Sequence, residues 1–367
     1  MRILLIGEYS NVHWTLAEGL RTLGHEAVVL SNGDFWKDYP RDWNLERKRT
    51  ALGGLQYLYR LLEYLPRMRD FDVVQLINPM FLELKAERIA PVYKYLRRHN
   101  KRIFLGAFGM DYYWVNECIT RKPLRYSDFN MGEELRTNAD ALKEKADWSG
   151  TPKESLNKNI ANDCDGIIAG LYEYYACYKP NFPSKTAFIP YPMRLEKDPP
   201  ITRHDKLNIF IGINKERSEY KGTDIMLEAA REIVAKHPDK AELRIAESIP
   251  FGEYQTMMDN SDVILDQLYS YTPAMNALTA MSKGIIVVGG GEPENYEILH
   301  EKELRPIVNI QPTYESVLHG LEYLVLHPET IVPLKNQSVE YIKRHHDYIK
   351  VADQYIKAYG MEKDLYL

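Results

Sequence analysis

The chain has 367 residues, 45% of them hydrophobic, which suits two globular domains and leaves no apolar run near the roughly 18 residues of a membrane span. A net charge of −5 argues against a general nucleic-acid binder, although residues 1–102 are net basic and the remainder net acidic. Three scattered cysteines (Cys118, Cys164, Cys177) show no metal-ligand spacing and point to a reducing, cytoplasmic setting.

The first residues, Met1–Gly7, read as a buried strand rather than a signal peptide. Near-continuous apolar runs follow at Ala27–Leu30, Val73–Ile77, Ile103–Leu105, Gly166–Ala169 and Ala187–Ile189, with helical patterns such as Val12–Leu23 and Ala86–Arg98 between them. Strands covered on both faces and separated by helices predict a parallel, doubly wound sheet. A polar, helix-prone segment near Thr120–Asn162 interrupts the pattern. Prolines at 190, 192, 199 and 200 mark a linker. A second series then begins, with strands predicted at Leu207–Ile211, Leu243–Ala246, Val263–Leu265, Ile285–Val288 and Ile307–Ile310, and a clear helix at Gly222–Lys236. The expected fold is α/β: two doubly wound domains, residues 1–195 and 196–339, facing a central cleft, with a C-terminal helix over 340–359 crossing back to the first. Ligands of such sheets bind outside the carboxyl ends of the strands.

Four strand ends carry the candidate chemistry. Gly7-Glu8-Tyr9-Ser10-Asn11-Val12-His13 lacks the glycines of a dinucleotide turn, which counts against nicotinamide and flavin chemistry. It reads equally as an acceptor-side surface (Glu8, Tyr9, Ser10, His13) or as a helix start capped by Ser10 or Asn11. Gly106–Trp114 also follows a strand. Asp111 is a candidate to orient or deprotonate an acceptor hydroxyl, and Tyr112, Tyr113 and Trp114 would stack on a sugar or else close the sheet as an aromatic patch.

In the second half, Lys215, Arg217 and Lys221 suit a diphosphate, or form an ordinary solvated loop. Thr272-Pro273 predicts a helix start whose free N–H groups at Ala274, Met275 and Asn276 would receive an anion. Gly289-Gly290-Gly291 lets a ligand or a neighbouring backbone come close, and Glu292 and Glu294 are candidates for sugar or ribose hydroxyls or for a helix N-terminus.

These pieces resemble the donor-binding half of GT-B glycosyltransferases of the bacterial family 4 type. The matching residues are Gly212, Arg217 and Lys221-Gly222, then Asp262-Val263 and Asp266, then Ala280–Val288. Arg2–Gly7 with Leu16–Glu26 is similar to the family's acceptor domain. The resemblance implies a retaining transferase in which Arg217 and Lys221 hold the donor diphosphate. The family's two glutamates before the Ala-Met run fall here on Tyr271 and Thr279, so Glu292, Asp266 or Asn276 would have to act in their place.

The resulting expectation is a metal-independent glycosyltransferase without a cofactor, with catalytic candidates Asp111 and Glu292. It would move a sugar from a nucleotide-sugar donor to a saccharide or lipid-linked acceptor in surface polysaccharide or glycan assembly. A nucleotide-sugar epimerase and a non-catalytic nucleotide-sugar binder are the alternatives. No nucleic-acid partner is expected. Basic residues at 47–49 leading into leucines from Leu52 to Leu65 read either as a helix whose leucines face the core and whose basic residues are solvated, or as a peripheral contact with the inner face of a membrane.

Overall fold

The computed structural model describes residues 1–195, 197–214, 218–362 and 365. The chain separates into two units. Unit 1 comprises Met1–Pro123, Glu144–Arg194 and Tyr348–Leu367; unit 2 comprises Leu124–Lys143 and Leu195–Asp347. The polar segment that interrupts the first sheet pattern therefore belongs in part to the second unit.

In chain order the strands up to the linker are β1 (Arg2–Ile6), β2 (Glu26–Ser31), β3 (Trp43–Asn44), β4 (Val73–Leu76), β5 (Arg102–Ala107), β6 (Asn130–Met131), β7 (Glu134–Leu135), β8 (Gly166–Ala169) and β9 (Thr186–Phe188). Among the described residues, unit 1 holds a sheet of order β3-β2-β1-β4-β5-β8-β9 in which every pair is parallel. The residues of β4 and β8 are all buried, as the apolar run of β8 and the three apolar residues of β4 require; the fourth, Gln75, is buried with them. Helix Val12–Thr22 buries Val12, Leu16, Ala17 and Leu20, one stripe at helical spacing.

Unit 2 contains β10 (Leu207–Ile213), β11 (Ala241–Glu247), β12 (Val263–Leu265), β13 (Ile286–Gly289) and β14 (Val308–Asn309), in the parallel order β11-β10-β12-β13-β14. Met226, Ala229, Ala230 and Ile233 of helix Thr223–Lys236 pack onto Ile209, Ile211, Val263 and Val288 of the sheet. Each fully buried Ile, Val or Met among them contributes about 1.5–3 kcal/mol. The antiparallel hairpin β6–β7 stands outside the main sheet.

The returning helix is Tyr348–Tyr359, shorter than the expected 340–359. A π-helical turn, Ile342–His346, precedes it within unit 2, and Asp347 then leaves helical geometry (φ −53°, ψ 123°). Tyr348 N donates to Met193 O at 3.1 Å instead of continuing the helical ladder.

In each sheet the strand order reverses once near the middle. The chain runs from β1 outward to β2 and β3 and then resumes beside β1 at β4. It runs from β10 to β11 and then resumes on the other side of β10 at β12. Such reversal points leave a crevice at the carboxyl ends of the two strands that flank them.

Candidate functional site

In unit 2 the reversal lies between β10 and β12, and Asp266 is the first residue after β12. Asn276 Nδ2 donates to Asp266 Oδ1 at 3.1 Å, and Tyr254 OH donates to Asn276 Oδ1 at 3.0 Å. Burial pushes the Asp266 carboxyl above the ordinary range; the Asn276 bond, the nearby Lys221 charge and the Gln267 N–H pull it part of the way back. Lys221 ends helix Ser218–Lys221, and its carbonyl accepts from Leu268 N at 3.1 Å. The reversal point thus gathers a cation, a buried carboxyl and an amide. Arg217, the expected companion of Lys221, and Lys215 lie outside the described residues.

The helix expected to start at Thr272-Pro273 runs from Met275 to Ser282, with Ala274 in the capping place and no side-chain cap. Ser270 Oγ donates to the Thr272 carbonyl at 2.6 Å, closing a turn in front of Pro273, so Thr272 does not cap the helix. The free first-turn N–H groups therefore fall on Met275, Asn276 and Ala277 rather than on Ala274, Met275 and Asn276. Thr279, at one of the two family glutamate positions, donates back to Met275 O at 2.7 Å within this helix. The glycine run serves the unit's own backbone. A Cβ on Gly290 would lie 2.1 Å from Ser270 O, and one on Gly291 would lie 2.8 Å from Ile307 Cγ2.

Glu292 departs furthest from its expected catalytic role. It is buried, and Oε1 accepts from Tyr126 OH (2.7 Å), Asn309 Nδ2 (3.1 Å) and Gln311 Nε2 (2.6 Å), while Oε2 accepts from Arg125 Nη2 (2.6 Å). Four donors occupy about as many lone-pair positions as a carboxylate has. Arg125 also pairs with Glu294. Burial pushes Glu294 up, but the Arg125 bond and charge prevail and hold it below the ordinary range. Tyr271, at the other family glutamate position, is buried beneath the same residues. Its OH accepts from Arg125 N at 2.7 Å, and its ring lies 4.7 Å from that of Tyr126 and 4.9 Å from the Arg125 guanidinium.

Residues 124–136 thus form a strap across this end of unit 2. Its far side is fastened by Arg136, which donates to the carbonyls of Tyr220 (3.1 Å) and Glu219 (2.8 Å) and stacks 3.6 Å from the Tyr269 ring centroid. Tyr220 OH donates to Asp128 Oδ2 at 2.8 Å. The strap residues and Tyr254 were not foreseen. The one sequence signal was the polar interruption itself.

In unit 1 a cavity of about 900 Å³ lies at the reversal between β1 and β4, lined by Gly7, Glu8, Tyr9 and Ile77 with Phe35, Arg47, Tyr57, Lys85 and Arg88 among others. Of the expected acceptor-side residues, Glu8 and Tyr9 line it. Glu8 also caps helix Val12–Thr22, accepting from His13 N (3.1 Å) and Trp14 N (2.9 Å) in place of the expected Ser10 or Asn11. Burial pushes Glu8 up to about 7, against the pull of those N–H groups. Ser10 is engaged by Lys37 Nζ at 2.9 Å. His13 is fully buried with Nδ1 2.8 Å from Gly7 O, and burial lowers it to about 3, so it stays neutral.

Asp111 and the three aromatic residues after it are structural rather than acceptor-facing. Asp111 is fully buried, caps helix Tyr112–Thr120 by accepting from Trp114 N (2.9 Å), and accepts from Tyr178 OH (2.7 Å). Burial pushes its carboxyl up to about 7. Tyr112, Tyr113 and Trp114 are buried too, Tyr113 packing on Tyr178 and Phe182.

Among the described residues no three His, Cys, Asp or Glu side chains converge as a metal-ligand set. Two Asp-x-Asp tripeptides do occur, Asp70-Phe71-Asp72 and Asp163-Cys164-Asp165; Arg2 N and Lys101 engage Asp72, and Tyr93 and Arg97 engage Asp163 and Asp165.

Solved structures with this arrangement include Anabaena HepE in complex with UDP and glucose (11% identity, 98% of this chain and 99% of that one, TM-score 0.61). Sucrose-phosphate synthase from Thermosynechococcus elongatus is similar as well (12% identity, 98% of each chain, TM-score 0.63). The fold is GT-B. UDP-GlcNAc 2-epimerase from Neisseria meningitidis, bound to UDP-GlcNAc, is also similar (11% identity, 97% of this chain and 99% of that one, TM-score 0.52). No family model and no curated protein sequence matches the chain. At these identities the likeness concerns the GT-B architecture, two Rossmann-like parallel α/β units, and not the chemistry carried on it.

Proposed function

We propose that this GT-B protein is a glycosyltransferase of the family 4 type, with a nucleotide-sugar donor held by unit 2 and a saccharide or lipid-linked saccharide acceptor held by unit 1. The observation that carries this reading is the convergence of Lys221, Asp266 and Asn276 at the reversal point of the unit 2 sheet. As the glycosidic bond to the leaving nucleoside diphosphate breaks, negative charge grows on the diphosphate oxygens. The Lys221 ammonium, with Arg217, offsets that charge without a metal ion. On this reading Asp266 and Asn276 take donor hydroxyls in place of the two absent family glutamates. Retention of configuration, action at the cytoplasmic face and a place in surface polysaccharide or glycan assembly complete the reading.

A panel of nucleotide sugars tested by thermal shift, followed by donor hydrolysis with and without EDTA, tests it. One donor should raise the melting temperature and be turned over at the same rate in chelator. Loss of turnover in EDTA with recovery on Mn²⁺ would overturn the metal-independent mechanism. Binding without turnover would support a nucleotide-sugar binder, a reading favoured by the complete engagement of Glu292 and by Tyr271 and Thr279 at the glutamate positions. An epimerised sugar in the product would support the third reading.

A further inference from the structure

Helix Gly53–Tyr64 of unit 1 is attached by one side only. Tyr57 and Leu61 are buried, and Tyr57 OH accepts from Glu83 N at 3.0 Å. On the opposite side Leu52, Leu55, Tyr59 and Leu62 are 60%, 66%, 71% and 65% exposed. Their spacing of three, four and three residues places them in one stripe. Isolated exposed leucines are ordinary, but four large apolar residues in register on one helix mark an interaction surface. Phe35, 57% exposed, adds to the apolar surface and lines the unit 1 cavity together with Tyr57 and Arg47.

The surrounding charge is basic. Arg47, Lys48 and Arg49 precede the helix and Arg67 and Arg69 follow it, all exposed, with Arg60 within it. Glu46 and Glu63 are the acids in the same stretch, and Glu63 lies 3.7 Å from Arg67. A second copy of this chain would bring an equally basic face against this one, and like charges disfavour that pairing. An anionic surface is complementary to it.

We propose that this face of unit 1 docks on an anionic lipid bilayer, the apolar stripe entering the headgroup boundary and the basic residues meeting the lipid phosphates. The docking stands on unit 1 alone. Its consequence, that the cavity beside the stripe takes an acceptor whose saccharide projects from the same bilayer, rests on the glycosyltransferase reading. Arg47 and Phe35 line that cavity and flank the docking face, so a lipid-borne headgroup would enter without the lipid leaving the membrane.

Co-sedimentation of the full chain with phosphatidylcholine vesicles, with and without phosphatidylglycerol, at low and high salt tests the docking. The protein should bind the anionic vesicles at low salt, be released at high salt, and ignore the zwitterionic ones. Lys48→Ala with Arg49→Ala should weaken binding roughly 30-fold. Leu55→Glu with Leu62→Glu should abolish it while leaving the melting temperature and the hydrolysis of a soluble donor unchanged, since neither leucine lines the cavity. No binding to anionic vesicles, or equal binding by the Leu variant, overturns the docking. A dimer in sedimentation that the Leu variant dissolves also overturns it and assigns the face to a second copy. Intact hydrolysis without vesicle binding defeats the docking alone; vesicle binding without any nucleotide-sugar turnover defeats the glycosyltransferase reading alone.

Discussion

The two parallel sheets end differently at their carboxyl edges, although both reverse strand order there. In unit 1 the edge between β1 and β4 borders a cavity of about 900 Å³, and its carboxyl group, Glu8, is spent on the first turn of a helix. In unit 2 the edge beyond β13 is covered by residues 124–136, and its carboxyl group, Glu292, is spent on four side chains, two of them from that strap. Between β10 and β12, by contrast, unit 2 brings a cation, Lys221, near a carboxyl, Asp266, that is neither a helix cap nor a strap anchor. An acid at the end of a strand is thus a weak sign of catalysis. The donors that reach it decide its role, and these come from residues distant in sequence.

The sharpest way to break this comparison is to remove the cations of unit 2. Lys221→Ala with Arg217→Ala should weaken nucleoside diphosphate binding by several kcal/mol, roughly 100-fold or more, measured by calorimetry. Unchanged affinity would mean that the donor does not sit at that reversal point.

The next effect tests the cap in unit 1. Burial lets folded Glu8 hold its proton up to about pH 7, against an ordinary glutamate value of about 4.5. Between those values the native state binds more protons than the unfolded chain, so the Glu8 contribution favours folding at low pH and is lost as pH rises. Glu8→Gln stays neutral throughout. Its stability relative to the parent should therefore improve between pH 4.5 and 7, by on the order of 3 kcal/mol. Asp111 acts in the same direction in both proteins and cancels from the difference. Urea unfolding at a series of pH values reads this out, and a flat difference would show that Glu8 is ionised within the fold.

The smallest effect concerns the strap. Glu292→Ala leaves Tyr126, Asn309 and Gln311 without their acceptor and should lower stability by about 2 kcal/mol. Arg125, whose side chain is 54% exposed, retains Glu294 and water. Donor hydrolysis should follow the folded fraction and no more. Abolished hydrolysis in a fully folded variant would restore Glu292 to catalysis and reduce the strap to a lid over it.

How far these features were legible in the sequence depended on whether neighbours in space were neighbours in the chain. The run after Arg2 reads as a buried strand because four consecutive residues, Ile3 to Ile6, repeat one signal, and the observed β1 buries those four. The two residues of β3 carry too little pattern to be read. Thr272-Pro273 has the form of a helix start, but the bond from Ser270 to the Thr272 carbonyl holds that stretch in a turn. The nearness of Lys221 to Asp266 was within reach because both follow strands of one series. The Arg125–Glu292 bond joins residues 167 positions apart, and no local periodicity encodes it. The exposure of Leu52, Leu55 and Leu62 was likewise hidden, because a helix that is apolar on two sides gives the same periodicity whichever side is packed.

The last helix bears on the order of events during synthesis. Gly19 of the first helix packs so closely beneath it that a Cβ there would lie 2.4 Å from Tyr348 O and 2.8 Å from the Ala352 methyl. Arg102 donates to the Tyr359 carbonyl, and the rings of Phe104 and Tyr359 meet at 5.0 Å, so the last helix also closes one end of β5. Chains are commonly expected to fold from the N-terminus as they emerge from the ribosome. Here the half translated first cannot be finished until residues 348–359 have been made. The residues of unit 2, the last being Asp347, are all translated before that helix. The surface around Gly19 thus receives its cover from residues translated after every residue of unit 2, so packing of the first helix is tied to the end of the chain's synthesis.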